Sequence, residues 1–590
     1  SYNAYYIHAQ IEMPKSNADQ IFGKTKVSCR YGCDVKLDTK SETSIVKSLF
    51  LREIYLTKNQ HRHTLNILRR TFSSSSSKLI LKHKFQLLPS NFLIYSYGKV
   101  FAQAPGAPKV NCYSVYGCCS NDAQNLPLLY SFPVLPKIED FITYNGPVHQ
   151  MAIRGKETYR PCIFAIRTRL SASGKESLLY QYDSETGKEL FSVYLSNTWK
   201  YCEVIDDSES GRLIIKSAKK QFRGHENNEN INSDILLRLI LFEYLPLQLL
   251  ASFPIRRSVF GRKINNVFVS QNLLLVYHDC DIIKIYSIED IINQANPVYL
   301  LGDQITNDEG SFIVGKAPIG IPSNVSLDVP PPCLFEVKTC SYELSIGGTP
   351  WFYVYSPKPK HYKVCDLKTH SFASMILESD SKSLEPDFIG FHPLRAATVI
   401  QQSSTVFRTW DASLLDSLKP IIKETFNFSI QSVGEEGISA GFSRYGRKLS
   451  YSCNLHDSFD DVYDLAHDFE DELDMLGILI LQDCSNQKQI LVEKLFLFDT
   501  NYNKFNEFEI MELIEGSNII SHVSLTLDLD IVAIKVRSTS KSTLLVFQLG
   551  NNVGNESPTC DMNCRGKRTR YIPSNPVATR HYNALHEKHD

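Results

Sequence analysis

Residues 178–188 read LLYQYDSETGK. Alternating side chains that end on a bulky ring describe a strand. Asp183 followed by Ser-Glu-Thr-Gly-Lys describes the turn that commonly joins the third strand of a propeller blade to the fourth. The template recurs as LILFE ending at Phe242-Glu243, DIIKIY at Tyr286, YKVCD at Cys365-Asp366, TVFRTWD at Trp410-Asp411, LFLFD at Phe498-Asp499 and TLLVF at Phe547. Successive matches lie 60, 44, 79, 45, 88 and 49 residues apart. The short intervals match the ~40–45 residues of a four-stranded WD-type blade, and the long ones require insertions between strands. Seven matches predict an all-β fold: a seven-bladed WD-type β-propeller with degenerate repeats. A pair of β-sandwiches is the competing arrangement. Closure into a ring leaves few strand edges open, which explains how so long a β chain can stay in solution.

The composition agrees. A chain of 590 residues exceeds one ordinary core but suits one large repeat architecture with flanks. Hydrophobic residues at 43% and charged residues at 22% describe a globular protein, and 30 Tyr with 32 Phe favour strands. Lys and Arg (63) balance Asp and Glu (64), so no global charge draws the chain to nucleic acid or a membrane surface. Fifteen scattered cysteines, an odd number, suit reduced thiols better than a disulfide framework.

Three regions are expected. Residues 1–90 form an irregular or helical N-terminal arm, with helix-like stretches at 41–56 and 62–70 and a flexible serine run, Ser73–Ser77. Residues 91–550 form the propeller. Residues 551–590 form a disordered basic tail carrying Arg565-Gly-Lys-Arg-Thr-Arg570. Within the propeller, residues 311–358 hold seven of the 26 prolines and four of the 28 glycines. Proline there excludes helix, and the apolar runs Cys333–Val337 and Trp351–Tyr355 read as strands behind a rigid approach segment. Ile235–Phe253 is broken by Arg238, Glu243 and Pro246, and Met475–Leu481 spans only seven residues. A membrane-spanning helix needs ~20 mostly apolar residues, so both read as buried strands and no span is expected.

Catalytic signatures are sparse. The chain has no P-loop, no G-x-G-x-x-G after a strand and no H-E-x-x-H. Gly437-Ile-Ser439-Ala-Gly441 matches G-x-S-x-G, but a nucleophile elbow needs a helix after the serine, and FSRYGRKLSYS reads as turn and strand. A glycine-rich β-turn is the expected reading. Cys29 and Cys33 with His61 and His63 could be zinc ligands, yet one residue separates the two imidazoles where zinc sites usually have three to five. No metal or cofactor is therefore expected. The acidic run Asp468–Asp474 reads as a solvated loop ahead of Met475–Leu481, with a cation or basic-peptide site as the alternative.

Several segments carry a family resemblance. GKAPIGIPSN at 315–324, LFEV at 334–337, IGGTPWFYV at 346–354, TGKELFSVYL at 186–195, VFGRKINNVFVSQNLLLVYHD at 259–279, FIGFHP at 388–393 and FEDELDMLGILI at 469–480 are similar to one family. It is the seventeenth in the series of factors that join damaged-DNA-binding protein 1 and cullin-4. The resemblance implies a propeller-type, non-catalytic substrate receptor or scaffold of a cullin-4 RING ubiquitin ligase. Its implied partners are the adaptor (damaged-DNA-binding protein 1), the cullin-4 complex and an unknown protein substrate, with no direct nucleic-acid contact. The implied location is the nucleus, including the nucleolus. Competing readings are a membrane-associated structural protein and a propeller hydrolase with carboxylates around the channel.

Two places are candidates for the adaptor. The first is the arm segment RHTLNILRRT at 62–71, where Leu65, Ile67 and Leu68 make an apolar surface and Arg69 sits near the C-terminal end of a short helix. The second is the blade carrying Arg408, Trp410 and Asp411. Receptors of this class often carry a W-D-x-R box; here Trp410-Asp411 is followed by Ala412-Ser413, and the nearby arginine precedes the pair.

Overall fold

A computed structural model describes residues 69–551 apart from several connecting segments, together with the short pair Val27–Ser28 and Asp34–Val35. Among the described residues, antiparallel meanders build eight sheets of four or six strands in chain order, beside two two-stranded pairs. Sheet 1 runs from Leu93–Ser96 to Leu128–Pro133, sheet 2 from Lys137–Tyr144 to Glu189–Ser196, and sheet 3 from Tyr201–Asp207 to Leu247–Arg256. Sheet 4 runs from Ile264–Ser270 to Cys333–Lys338, and sheet 5 from Leu344–Gly347 to Phe372–Ile376. Sheet 6 has six strands, Phe388–Phe391 to Arg447–Asn454, and sheet 7 runs from Val462–Glu470 to Lys504–Glu515. Sheet 8 holds Ile520–Asp528, Ile531–Ser538 and Ser542–Asn551, and its fourth strand is Ser77–Leu87 from the other end of the chain. That strand pairs from Ser77 opposite Asn551 to Leu87 opposite Ser542. The segment read from sequence as the end of the arm is thus part of the last sheet.

The core shows that the sheets close. Eight clusters of buried apolar residues each join two neighbouring sheets. Phe101, Val110 and Phe132 of sheet 1 pack on Phe141 and Ile163 of sheet 2. Leu93, Val100 and Ala102 of sheet 1 pack on Ile531, Ala533, Leu544 and Val546 of sheet 8, which completes the circle. Both faces of each sheet are covered, so strands such as Gln489–Asp499 are buried along nearly their whole length instead of alternating.

The count of seven blades is corrected to eight. All seven template matches are third strands of their sheets. The missed one is Lys109–Ser114, third strand of sheet 1, which ends Tyr113-Ser114 with no acid after it. Packing requires only that Val110 and Cys112 be buried, and both are fully so. The terminal acid serves the following turn: Asp183 Oδ1 accepts from Thr186 N at 2.9 Å, and Asp499 Oδ1 accepts from Asn501 N and Asn503 N at 2.8 Å. Lys109–Ser114 lacks that acid, as do the matches at Tyr286 and Phe547, and its six residues carry only Val110 and Cys112 as apolar alternation before Tyr113. The long intervals are insertions: residues 288–332 lie between the third and fourth strands of sheet 4, and Ile438–Arg444 with Arg447–Asn454 extend sheet 6. Both apolar stretches that mimic spans are strands of sheets 3 and 7, and no helix among the described residues is long and apolar enough to cross a membrane.

Candidate functional site

The arm candidates fall mostly beyond view: Leu65, Ile67 and Leu68 lie outside the described residues, as do Cys29, Cys33, His61, His63 and the basic tail. Arg69 and Arg70 take helical positions, and an Arg69 nitrogen lies 3.9 Å from Asp474 Oδ2 in the second-strand turn of sheet 7, both side chains being largely exposed. Phe72 is fully buried between sheets 7 and 8, edge-to-face with Phe508 at 6.4 Å. The serine run expected to be flexible is instead a bonded turn. Ser73 Oγ donates to Arg70 O at 3.0 Å, Ser77 N donates to Ser74 O at 3.1 Å, and Asn506 Nδ2 donates to the carbonyls of Phe72 and Ser74. Phe72 therefore pins the arm to the ring one residue before the serines begin.

Arg408, Trp410 and Asp411 share the third strand of sheet 6, Val406–Asp411. Trp410 is half-buried against the cluster between sheets 5 and 6, and its indole N–H is buried with no acceptor among the described residues. Arg408 Nε lies 3.6 Å from Glu424 Oε2 on the next strand. Asp411 Oδ1 accepts from Ser413 N at 2.8 Å, and Ala412 is fully buried. All three side chains thus have work inside the sheet. The G-x-S-x-G serine, Ser439, sits within the strand Ile438–Arg444, opposite Gln431 and Asn454, so neither an elbow nor the expected β-turn forms there.

Carboxylates on the innermost strands bond to the neighbouring blade. Asp140 Oδ2 accepts from Val204 N at 2.7 Å, joining sheets 2 and 3, and Asp468 Oδ2 accepts from Leu527 N at 2.7 Å, joining sheets 7 and 8. Asp207 accepts from Gln271 N at 3.0 Å and Asn272 N at 2.9 Å, and Asp528 Oδ2 accepts from Tyr95 OH at 2.6 Å. A backbone N–H buried between blades needs an acceptor, and a carboxylate supplies a strong one. The acidic run at 468–474, expected to be a solvated loop, therefore begins as strand, with Asp468 as an inter-blade clasp. Among the described residues no three His, Cys, Asp or Glu side chains gather as a metal site.

The imidazoles of sheets 6 and 7 are held neutral. His467 Nδ1 meets Gln402 Oε1 among Phe388, Phe407 and Phe469, and burial lowers its pKa to about 4. His392 lies 4.0 Å from the Phe469 ring, and burial, then Arg395 and His467, hold it well below the usual range.

The insertion of sheet 4 makes the most distinctive surface. After the helix Ile288–Ile292, capped by Ser287 Oγ accepting from Asp290 N, the chain runs back over the outer strands of sheets 3 and 2. Ser252 N donates to Asn324 Oδ1 at 2.7 Å, and Asn324 N donates to Ser252 O at 3.0 Å. Further along, Ile321 N donates to Leu195 O at 3.1 Å, and Tyr194 N donates to Gly315 O at 2.9 Å. Unpaired strand edges are thereby covered. Gly320 is required: φ is +83°, and a Cβ there would stand 2.4 Å from Leu195 O. Around this belt Leu190, Leu300, Ile313 and Ile319 remain 43–50% exposed. The proline density of residues 311–358 marked a rigid segment; nothing in it foretold which edges the segment would cover.

A family model for DDB1- and CUL4-associated factor 17 matches residues 63–549, the last arm residues and nearly the whole ring. The chain belongs to the DDB1- and CUL4-associated factor 17 family. It is 28% identical to the Danio rerio member over 391 residues, covering 63% of this chain and 72% of that protein. With the Homo sapiens member the identity is 26% over 463 residues, 76% of this chain and 86% of the relative. Among solved structures, Saccharomyces cerevisiae Sqt1 aligns with 80% of this chain and 99% of its own at 7% identity and a TM-score of 0.34. Segments that carried the family resemblance occupy defined places. GKAPIGIPSN forms the belt loop, FIGFHP the first strand of sheet 6 with His392, and FEDELDMLGILI the inner hairpin of sheet 7.

Proposed function

We propose that this chain is a substrate receptor of a cullin-4 ubiquitin ligase, holding the DDB1 adaptor on one surface and a protein substrate on another. The observation that carries the reading is the family match over 63–549, because it spans nearly the whole ring and not one shared blade. The chemistry asked of such a receptor is proximity. Binding raises the effective concentration of substrate lysines beside a charged ubiquitin enzyme, and no bond is made or broken by the receptor. The inner carboxylates at Asp140, Asp207, Asp468 and Asp528 bond to neighbouring blades, which favours a scaffold over a propeller hydrolase.

The arm is the proposed adaptor element. Leu65, Ile67 and Leu68 would enter an apolar groove of the adaptor, with Arg69 at the helix end and Phe72 anchoring the base in the ring. The strand with Arg408, Trp410 and Asp411 is the second candidate, set on the sheet next to the one that Arg69 approaches. The proposed location is the nucleus, including the nucleolus. The test is pull-down of purified DDB1 by the full chain and by the Leu65→Asp/Leu68→Asp variant. Capture by the wild type, lost in a variant that melts normally, supports both receptor and arm. Capture by both rejects the arm and directs attention to Arg408 and Trp410. Failure of the wild type to capture DDB1 rejects the receptor reading.

A further inference from the structure

On one face of the ring the fourth strands end, the next sheets begin, and the turns between second and third strands lie. There the chain crosses from sheet 3 to sheet 4 through Arg256-Arg-Ser-Val-Phe-Gly-Arg-Lys263, four basic residues and no acid. Internal bonds fix the shape of this connector. Asp234 accepts from Ser258 N at 2.7 Å and from Ser258 Oγ at 2.6 Å, and Arg257 N donates to Asp234 O at 2.7 Å. Arg257 Nη1 donates to Ile264 O at 2.9 Å and to Arg262 O at 3.4 Å. Gly261, at φ +117°, closes the single helical turn by donating its N–H to Arg257 O at 3.0 Å. Phe260 is buried between sheets 3 and 4, edge-to-face with Tyr286 at 5.4 Å.

The remaining cations of the connector point outward. Arg256, Arg262 and Lys263 are exposed, and their side chains have no ion pair or hydrogen bond among the described residues. Lys338, ending the fourth strand of sheet 4, and Lys358, ending the second strand of sheet 5, are in the same condition on the same face. Backbone bonds run from one to the next: Asp279 N donates to Lys263 O at 2.7 Å, Thr339 N to Asp281 O at 2.9 Å, and Cys340 N to Ser356 O at 2.8 Å. The carboxylates along this line are Asp279 and Asp281, so five cations meet two anions. By contrast, Arg169 lies 2.6 Å from Glu176 and Lys541 2.7 Å from Glu515 elsewhere on the face. In a chain of net charge −1 the excess at this rim is local.

We propose that this rim is a docking surface for an acidic segment of a partner protein, centred on Arg256, Arg262 and Lys263 and extended by Lys338 and Lys358. Arginine forks take carboxylates through two parallel hydrogen bonds. A connector already fixed in shape gives up little freedom on binding. A peptide fits the rim better than a nucleic acid does. Asp279 and Asp281 interrupt the cations, and a peptide can place uncharged residues opposite them where a phosphate backbone carries charge at every step. Among the described residues the rim exposes no Phe, Tyr or Trp on which a base would stack. The surface includes neither the arm nor the strand of Trp410, so it stands apart from the ligase reading.

The experiment is fluorescence anisotropy of a labelled peptide of alternating glutamate and serine, titrated with the full chain at low ionic strength. Its glutamine counterpart and a single-stranded RNA of equal charge are titrated beside it. The glutamate peptide is expected to bind and the glutamine peptide to stay silent. Arg262→Glu/Lys263→Glu should weaken binding about tenfold or more, the effect of reversing two exposed charges. The charge-matched Lys78→Glu/Lys109→Glu, at exposed positions of sheets 8 and 1, should leave it unchanged. Asp279→Asn should strengthen binding, a gain that poor folding could not produce. No binding of the glutamate peptide, equal losses in the two double variants, or RNA bound more tightly than the peptide overturns the proposal.

Discussion

Substituting Gly320 with alanine tests how the insertion holds the ring. The added Cβ would meet Leu195 O at 2.4 Å and Tyr194 O at 2.9 Å, both rigid backbone, so the belt must lift from the edge of sheet 2. A non-glycine residue at φ +83° adds about 1–2 kcal/mol of strain. Lifting breaks the bonds from Tyr194 N to Gly315 O and from Ile321 N to Leu195 O, each worth about 1 kcal/mol. It also loosens Val314 and Ile321, now 1% and 3% exposed. The sum is about 4 kcal/mol, which lowers the melting temperature by about 4 °C at ~2 cal/mol/K per residue for a ring of this size. Gly302→Ala is the control, because φ there is +93° with nothing within 4 Å of the added carbon, so strain acts alone. Thermal melts of the two variants should differ by about 2–3 °C. Equal melts, or a Gly320→Ala melt within 1 °C of the wild type, would refute the claim that the belt is seated on that edge.

Three other outcomes are expected. Deleting Ser77–Leu87 leaves the strand Ser542–Asn551 with an open edge, so the protein should aggregate and lose cooperative melting; a deletion that melts like the parent refutes closure by this strand. Trp410→Ala should cost about 2–3 kcal/mol, below the 3–5 of a fully buried aromatic because the indole is half-buried; an unchanged melt with reduced DDB1 capture would make Trp410 a contact residue. Acid should destabilise the ring as pH falls from about 6.5 to 4, since the unfolded chain protonates His467 and His392 while the folded ring keeps them neutral. His467 contributes about 3 kcal/mol at most, so His467→Phe should shrink the urea-midpoint loss between pH 7 and pH 4.5, and an undiminished loss would contradict the assignment.

The third strands were legible because apolar residues alternate along them up to a bulky ring and most end at a turn that wants an acid. That rule found seven strands, two of them (at Tyr286 and Phe547) without the acid, and passed over Lys109–Ser114, where burial of Val110 and Cys112 is the whole apolar signal. Ser77–Leu87 was hidden differently: its pairing partner is more than 450 residues away, and only tertiary contact gives it a place. The belt announced its rigidity through proline and glycine, while its bonds to Ser252 and Leu195 depend on backbone groups that sequence does not distinguish. Trp410-Asp411 was found correctly as a strand end, and its internal contacts emerged only with the neighbouring blade in place.

The central claim is that this ring serves a cullin-4 ligase. Affinity purification of the full chain from nuclear extract, followed by mass spectrometry, tests it most directly. The account expects DDB1 and cullin-4 among the strongest partners, and their recovery should fall when Leu65 and Leu68 are replaced by aspartate. Recovery of the intact, folded chain without DDB1 and cullin-4 would contradict it.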